Sequence, residues 1–210
     1  MSSKALFRLA RRGTLIAALA ALCSACAPLI MGGAMVGGAL VATDRRTSGT
    51  QLEDQGIEMK VSKQLREQLG DKLHFNVNSY NRFVLLTGEA DTDADRAAAE
   101  RIASQVENVN RVANEIAVTF KSSLSGRSND VLIATKVKAS LVDARDLISN
   151  AFYVVVERGQ VYLMGRVTER EAHRASEIAR GVAGVQKVVR MFEIISEEEL
   201  ARITPKPAKQ

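Results

Sequence analysis

The sequence predicts an α+β protein built twice: two tandem small α-β-β-α-β domains, each a three-stranded sheet covered by two helices. Two observations carry that expectation. The body of the chain reads as two copies, one starting near Ile57 and the other near Ile133. Within each copy the apolar residues recur first at a spacing of four, then at a spacing of two, which is how a helix giving way to half-buried strands reads. A third observation concerns the rest of the chain: its only two cysteines, Cys23 and Cys26, lie ahead of both copies.

The leader comes first. Lys4, Arg8, Arg11 and Arg12 form a basic segment, Thr14 to Leu22 an apolar one, and small residues follow. This is the pattern of a secretory signal peptide over residues 1–25, too short to span a bilayer as a stable helix. A Cys23–Cys26 disulfide would close a very small loop and stabilise little. A metal site needs about four ligands, and His74 and His173 are far away in sequence. A catalytic thiol lacks a nearby base. Small residues directly before Cys26, namely Ser24 and Ala25, resemble the end of a bacterial lipoprotein signal, whereas Cys23 follows Leu22. The resemblance implies that Cys26 is lipidated and becomes the first residue. Ala27, rather than Asp, after it implies delivery to the outer membrane. Residues 26–50 then read as a Gly-rich tether, whose lone GxxxG at Gly33 and Gly37 is weak evidence for helix packing.

The formal charge of +5 is misleading. Removing the four basic residues of the leader leaves about +1, by the exclusion that targeting segments require. A near-neutral chain gives no case for nucleic acid as a partner. With no Trp and few aromatics, the core must be built from Val, Ile, Leu and Ala.

The first copy, residues 51–120, opens with Ile57, Val61 and Leu65 on one helix face; the second, residues 130–195, opens with Ile133, Val137 and Leu141. Phe75 and Val77 match Phe152 and Val154, and Val84 and Leu86 match Val161 and Leu163, at strand spacing. Hairpin turns are expected at Tyr80-Asn81 and Arg158-Gly159. Gly88 matches Gly165. Ile102, Ala103 and Val106 match Ile178, Ala179 and Val182 on a second helix, and Val109 and Val112 match Val185 and Val188 leading into a last strand. Asn108 stands where the second copy has Gly184, and Asn tolerates the left-handed backbone. Residues 121–129, "KSSLSGRSN", read as a polar linker. In the tail, 196–210, Ser196 and Glu199 form a capping box for a short helix.

These motifs, "LTGEADTDADR" with "IASQVENVNRVANEI" and "LMGRVTEREAHRASEIARGVAGVQKV", resemble the BON domain, a small bacterial envelope module. Two such modules behind a lipoprotein signal are similar to the dual BON-domain outer-membrane lipoproteins. That resemblance implies a lipid-anchored protein on the periplasmic face of the outer membrane. It further implies binding of anionic phospholipid through the second domain, enrichment at the division site and a link to the outer-membrane protein assembly machinery.

Chemistry is hard to find. Asp91, Asp93 and Asp95 suggest an EF-hand, but position 6 is Arg96 and position 12 is Ile102, so calcium is not expected. Acidic residues at a helix start explain them. His74 precedes inward Phe75 and should point outward; His173 lies on a charged helix. There is no phosphate loop and no nucleophile elbow. The sequence therefore predicts no enzyme, no cofactor and no metal site.

What remains is the difference between the copies. Residues 55–120 carry eight basic and ten acidic residues, net −2; residues 130–195 carry ten and eight, net +2. Where the first helix has Gly56, Ser62 and Arg66, the second has Leu132, Lys138 and Val142. Leu132, Ala139 and Val142 fall off the core stripe at helical spacing, with Thr135 and Lys136 on the same face and Lys138 beside it. An apolar strip flanked by lysines suits an anionic bilayer surface. Two other readings compete: Leu132 and Val142 pack against the first domain, or the helix docks an envelope protein and the lipid serves only as tether.

Overall fold

A computed structural model describes residues 44–203. Cys26, the leader and the tether up to residue 43 lie outside the described residues, as does the end of the tail.

Each copy folds as helix, strand, strand, helix, strand. In the first copy these are α1 (Ser48–Leu69), β1 (Leu73–Tyr80), β2 (Phe83–Ala90), α2 (Asp93–Ser104) and β3 (Arg111–Val118). The second has α3 (Leu124–Asp143), β4 (Tyr153–Glu157), β5 (Gln160–Val167), α4 (Glu169–Arg180) and β6 (Lys187–Ile194), with α5 (Glu197–Ile203) after it. β2 is central in the first sheet, antiparallel to β1 and parallel to β3; β5 is central in the second, antiparallel to β4 and parallel to β6. The parallel pair needs a crossover, and the second helix of each copy supplies it.

Local chemistry sets the helix ends. Thr47, Thr92, Ser123 and Thr168 each accept a backbone N–H three residues on. Thr168 and Glu171 complete a capping box. Asp93 and Asp95 lie in the first turn of α2, where the helix dipole favours them. Gly88 is obligatory: a Cβ there would stand 2.0 Å from the His74 carbonyl oxygen. Asn108 and Gly184 both have positive φ, at 70° and 100°.

Three sequence expectations need correction. The linker read over 121–129 is shorter, because α3 begins at Leu124; the Ser123 hydroxyl accepts from Gly126 N–H and stops the irregular stretch there. The first copy begins earlier than residue 51, with α1 starting at Ser48. The first hairpin turn is Asn81-Arg82, not Tyr80-Asn81. Both turn residues take positive φ, and Tyr80 pairs with Phe83 inside the ladder.

Each copy has its own core between helices and sheet. Ile57, Val61 and Leu65 meet Val84, Leu86 and Ile116; Ile133, Val137 and Leu141 meet Val161 and Leu163. A third core lies on the other side of both sheets: Tyr80, Leu85, Tyr162, Met164 and Met191 pack together. The sheets therefore stack back to back, giving four layers with each pair of helices outermost. Polar contacts stitch this seam. Asn76 donates to Glu157 at 2.9 Å, and the Tyr153 hydroxyl meets Asn78 at 3.2 Å. His74 does point away from its own helices, but that face is the seam rather than solvent, and its Nδ1 lies 2.8 Å from the buried Glu89 carboxylate. The segment before α1 closes one side. Arg45 makes a buried two-pronged ion pair with Glu171 at 2.7 and 2.8 Å, and Arg46 bonds Asp54 at 2.8 Å while lying over the Tyr80 ring.

Candidate functional site

The face singled out by sequence is on α3, and its orientation is fixed by a residue that sequence reasoning missed. Asp130 is buried at the root of α3 and accepts the Arg158 and Gly159 N–H groups of the β4–β5 turn, both at 2.8 Å. Asp54 does the same in α1, accepting from Asn81 N–H, Arg82 N–H and the Ser79 hydroxyl, each at 2.8 Å. A hairpin turn with two positive-φ residues leaves backbone donors that need acceptors. The carboxylate supplies them and thereby locks the rotation of each helix on its sheet. The signal was present: both aspartates stand three residues before the first core isoleucine of their copy.

With Asp130, Ile133, Val137 and Leu141 turned inward, the opposite face of α3 is open. Leu124, Val131, Leu132 and Val142 are between 59 and 81 % exposed. Leu132 and Val142 therefore do not pack against the first copy. Thr135, Lys136, Lys138 and Ala139 are exposed on or beside the same face. The Thr135 hydroxyl donates to the Val131 carbonyl at 2.8 Å, which satisfies its proton within the helix and leaves the strip less polar than its composition suggests. Leu124, Val131, Thr135 and Val142 run down one line of the helix for about 27 Å at 1.5 Å per residue. Lys138 and Val142 also border a shallow cavity of about 330 Å³ with Ser149, Phe152 and Tyr153.

Sequence reasoning passed over Leu124 and Val131 as site residues. Leu124 lay in the stretch read as linker; Val131 stands where the first copy has Gln55 and was detectable by the same comparison that found Leu132. The first copy is not featureless either. Leu52 and Met59 on α1 are exposed too, but they flank Gly56 and share their face with Lys63 and Arg66. The two helix faces differ in extent: four large exposed apolar side chains on α3, two on α1.

The titratable groups form structural networks. Burial pushes the Glu157 carboxyl above its usual range, opposed by the Asn76 hydrogen bond and reinforced by the charges of Glu89 and Asp130. Burial would raise Glu171 too, but hydrogen bonds from Arg45 and the Thr168 backbone hold it below the ordinary value. The Arg158 guanidinium is 3.5 Å from Glu89 Oε1, outside hydrogen-bond geometry, so that oxygen accepts no bond among the described residues. His173 is exposed beside Glu177. Among the described residues no three His, Cys, Asp or Glu side chains converge as metal ligands, and no helix is long and apolar enough to cross a membrane.

Comparison with known proteins agrees with this architecture. A family model described as the BON domain matches residues 53–119 and again residues 129–196. The chain is similar to the outer membrane lipoprotein DolP of Haemophilus influenzae, 38% identical over 173 residues that cover 81% of this chain and 89% of that protein. It is similar also to the 21 kDa hemolysin of Actinobacillus pleuropneumoniae, 33% identical over 72% of this chain and 79% of that protein. A solved structure, the C-terminal domain of CdsD from the type III secretion system of Chlamydia trachomatis, aligns over 66% of this chain and 96% of that one. At 9% identity and a TM-score of 0.29, that likeness carries no argument.

Proposed function

The chain belongs to the BON-domain family, and from that premise we propose that it is a non-enzymatic outer-membrane lipoprotein that binds anionic phospholipid through its second copy. In this reading Cys26 carries the lipid, the folded part faces the periplasm, and the protein supports outer-membrane integrity at the division site, in contact with the outer-membrane assembly machinery. The observation that carries the lipid assignment is the open face of α3, where Leu132 and Val142 stand exposed between Lys136 and Lys138.

Simple energetics make such a surface adequate. Fully burying an aliphatic side chain gives about 1.5–3 kcal/mol, so two half-buried at an interface give about 1.5–3 kcal/mol together. Each lysine near an anionic surface adds about 1 kcal/mol. About 3.5–5 kcal/mol before ordering costs corresponds to roughly millimolar binding, which a free chain shows at high lipid concentration. For one already tethered by its own acyl chains the contact is tighter still, because the tether raises the effective concentration of surface around the helix.

The test is flotation of the unanchored chain from Thr43 onward, which contains both cores and the seam between them. It should float with vesicles containing phosphatidylglycerol, lose binding as salt rises, and ignore phosphatidylcholine. Failure to float with any anionic vesicle would remove the lipid assignment and favour the face as a protein-docking surface.

A further inference from the structure

The most exposed large apolar side chain among the described residues is on neither helix. Phe120, between β3 and α3, is 94 % exposed. It is nevertheless held in place. Thr119 N–H continues the β-ladder to the Ala90 carbonyl at 3.2 Å. The Lys121 ammonium donates to the Asp71 carbonyl at 2.8 Å, and two residues later Ser123 caps α3. Arg127 donates back to Ser122 through its side chain, at 3.2 Å to both hydroxyl and carbonyl. An aromatic ring is thus presented to solvent from a segment tied at three points. A ring displayed this way has already met the ordering cost that a flexible loop would incur on binding a surface.

One turn further on, Leu124 is 81 % exposed and heads the line of Val131 and Val142 along α3. The first turn of α3 carries no acidic residue. Charge gathers at the other end, where Lys138, Asp143, Arg145 and Asp146 are exposed. The helix surface is therefore graded: its exposed residues in the N-terminal turns, Leu124, Ser125, Ser128 and Asn129, are uncharged, and charge lies toward its C-terminal end. The N-terminal end also presents the positive pole of the helix dipole, which suits a layer of phosphates.

We propose that Phe120 and Leu124 form an inserting wedge that seats the N-terminal end of α3 deeper in an anionic lipid surface than its C-terminal end. This rests on the lipid-binding reading above and adds to it the anchoring side chains and the tilt of the helix. Aromatic rings favour the interfacial zone of a bilayer, and the exposed charges at the C-terminal end belong in the headgroup layer.

The chain contains no tryptophan, so one placed by substitution is the sole reporter. In the chain from Thr43 onward, Phe120→Trp and Val142→Trp are compared on phosphatidylglycerol vesicles with brominated acyl chains. The wedge predicts a blue shift for both, with stronger quenching at position 120 than at 142. It also predicts that Phe120→Ser with Leu124→Ser weakens vesicle binding by about tenfold without changing the melting temperature, since both side chains are exposed. Equal or weaker quenching at 120, or parental binding by the double serine variant, overturns the wedge. If the parent binds and Leu132→Glu does not, the lipid reading survives that failure; if the parent itself does not bind, both fall together.

Discussion

Replacing Leu132 with glutamate separates a membrane-facing helix from a structural one. Leu132 is 59 % exposed and outside the core of its own copy, so the substitution leaves Ile133, Val137 and Leu141 undisturbed. On a lipid surface it removes about half the burial of a leucine, about 1 kcal/mol. It also places a negative charge where an anionic surface favours a positive one, costing about 1 kcal/mol more. The sum of about 2 kcal/mol corresponds to roughly a thirtyfold loss of vesicle affinity. The assay is co-sedimentation of the chain from Thr43 onward with phosphatidylglycerol vesicles, at low and raised salt, beside a thermal melt. The matching change in the first copy, Gly56→Glu, should leave binding near the parental value. Two results would refute the reasoning. If Leu132→Glu binds as the parent does, the helix is not the lipid site; if it lowers the melting temperature sharply, the side chain is structural after all.

Three further outcomes are expected. Cys26→Ser should leave the protein unlipidated, whereas Cys23→Ser should still carry the diacylglycerol, as read by mass spectrometry of the mature N-terminus. Asp54→Ala strips two backbone N–H groups, the Ser79 hydroxyl and Arg46 of one shared acceptor; urea unfolding should show a loss of about 3–5 kcal/mol, the usual cost of breaking a buried pair. Glu157 titrates above its unfolded value, so its protonated form is the one the seam favours. Its contribution to stability is fully present below about pH 4.3, the unfolded carboxyl value, and is lost as pH rises through the higher folded value. Its titration is set among Glu89, Asp130, His74 and Asn76. Glu157→Gln should therefore raise the melting temperature at pH 7, with the gain shrinking toward pH 4; a melting temperature that falls at pH 7 would show that the charged form is the favoured one.

The repeat, the order of its elements and most core residues were legible because they depend on local periodicity. Ile57, Val61 and Leu65 announce a helix face however the chain packs. The seam between the copies was harder to read, since strand spacing assigns only one face of a sheet to a core. Leu85 and Leu86 are both fully buried, as are Leu163 and Met164. The signal lay in the unbroken apolar runs "FVLL" and "VYLM", because a strand covered on both faces loses its alternation. Asp54 and Asp130 escaped notice because a charged residue beside a core stripe reads as solvated surface until the turn it caps is seen. On the site itself, comparison of the copies found Leu132 and Val142. It passed over Leu124 because Ser and Gly around that residue suggested a linker, whereas Ser123 is a helix cap and Gly126 donates to it.

The central claim is that the outward face of α3, and not that of α1, meets anionic lipid. Backbone resonances of the chain from Thr43 onward, recorded with phosphatidylglycerol vesicles carrying a small fraction of paramagnetic headgroup, test it most directly. The account predicts broadening centred on Leu124, Val131, Leu132, Lys138 and Val142, with Leu52 and Met59 on α1 unaffected. Broadening centred on α1, or spread evenly over both copies, would contradict it.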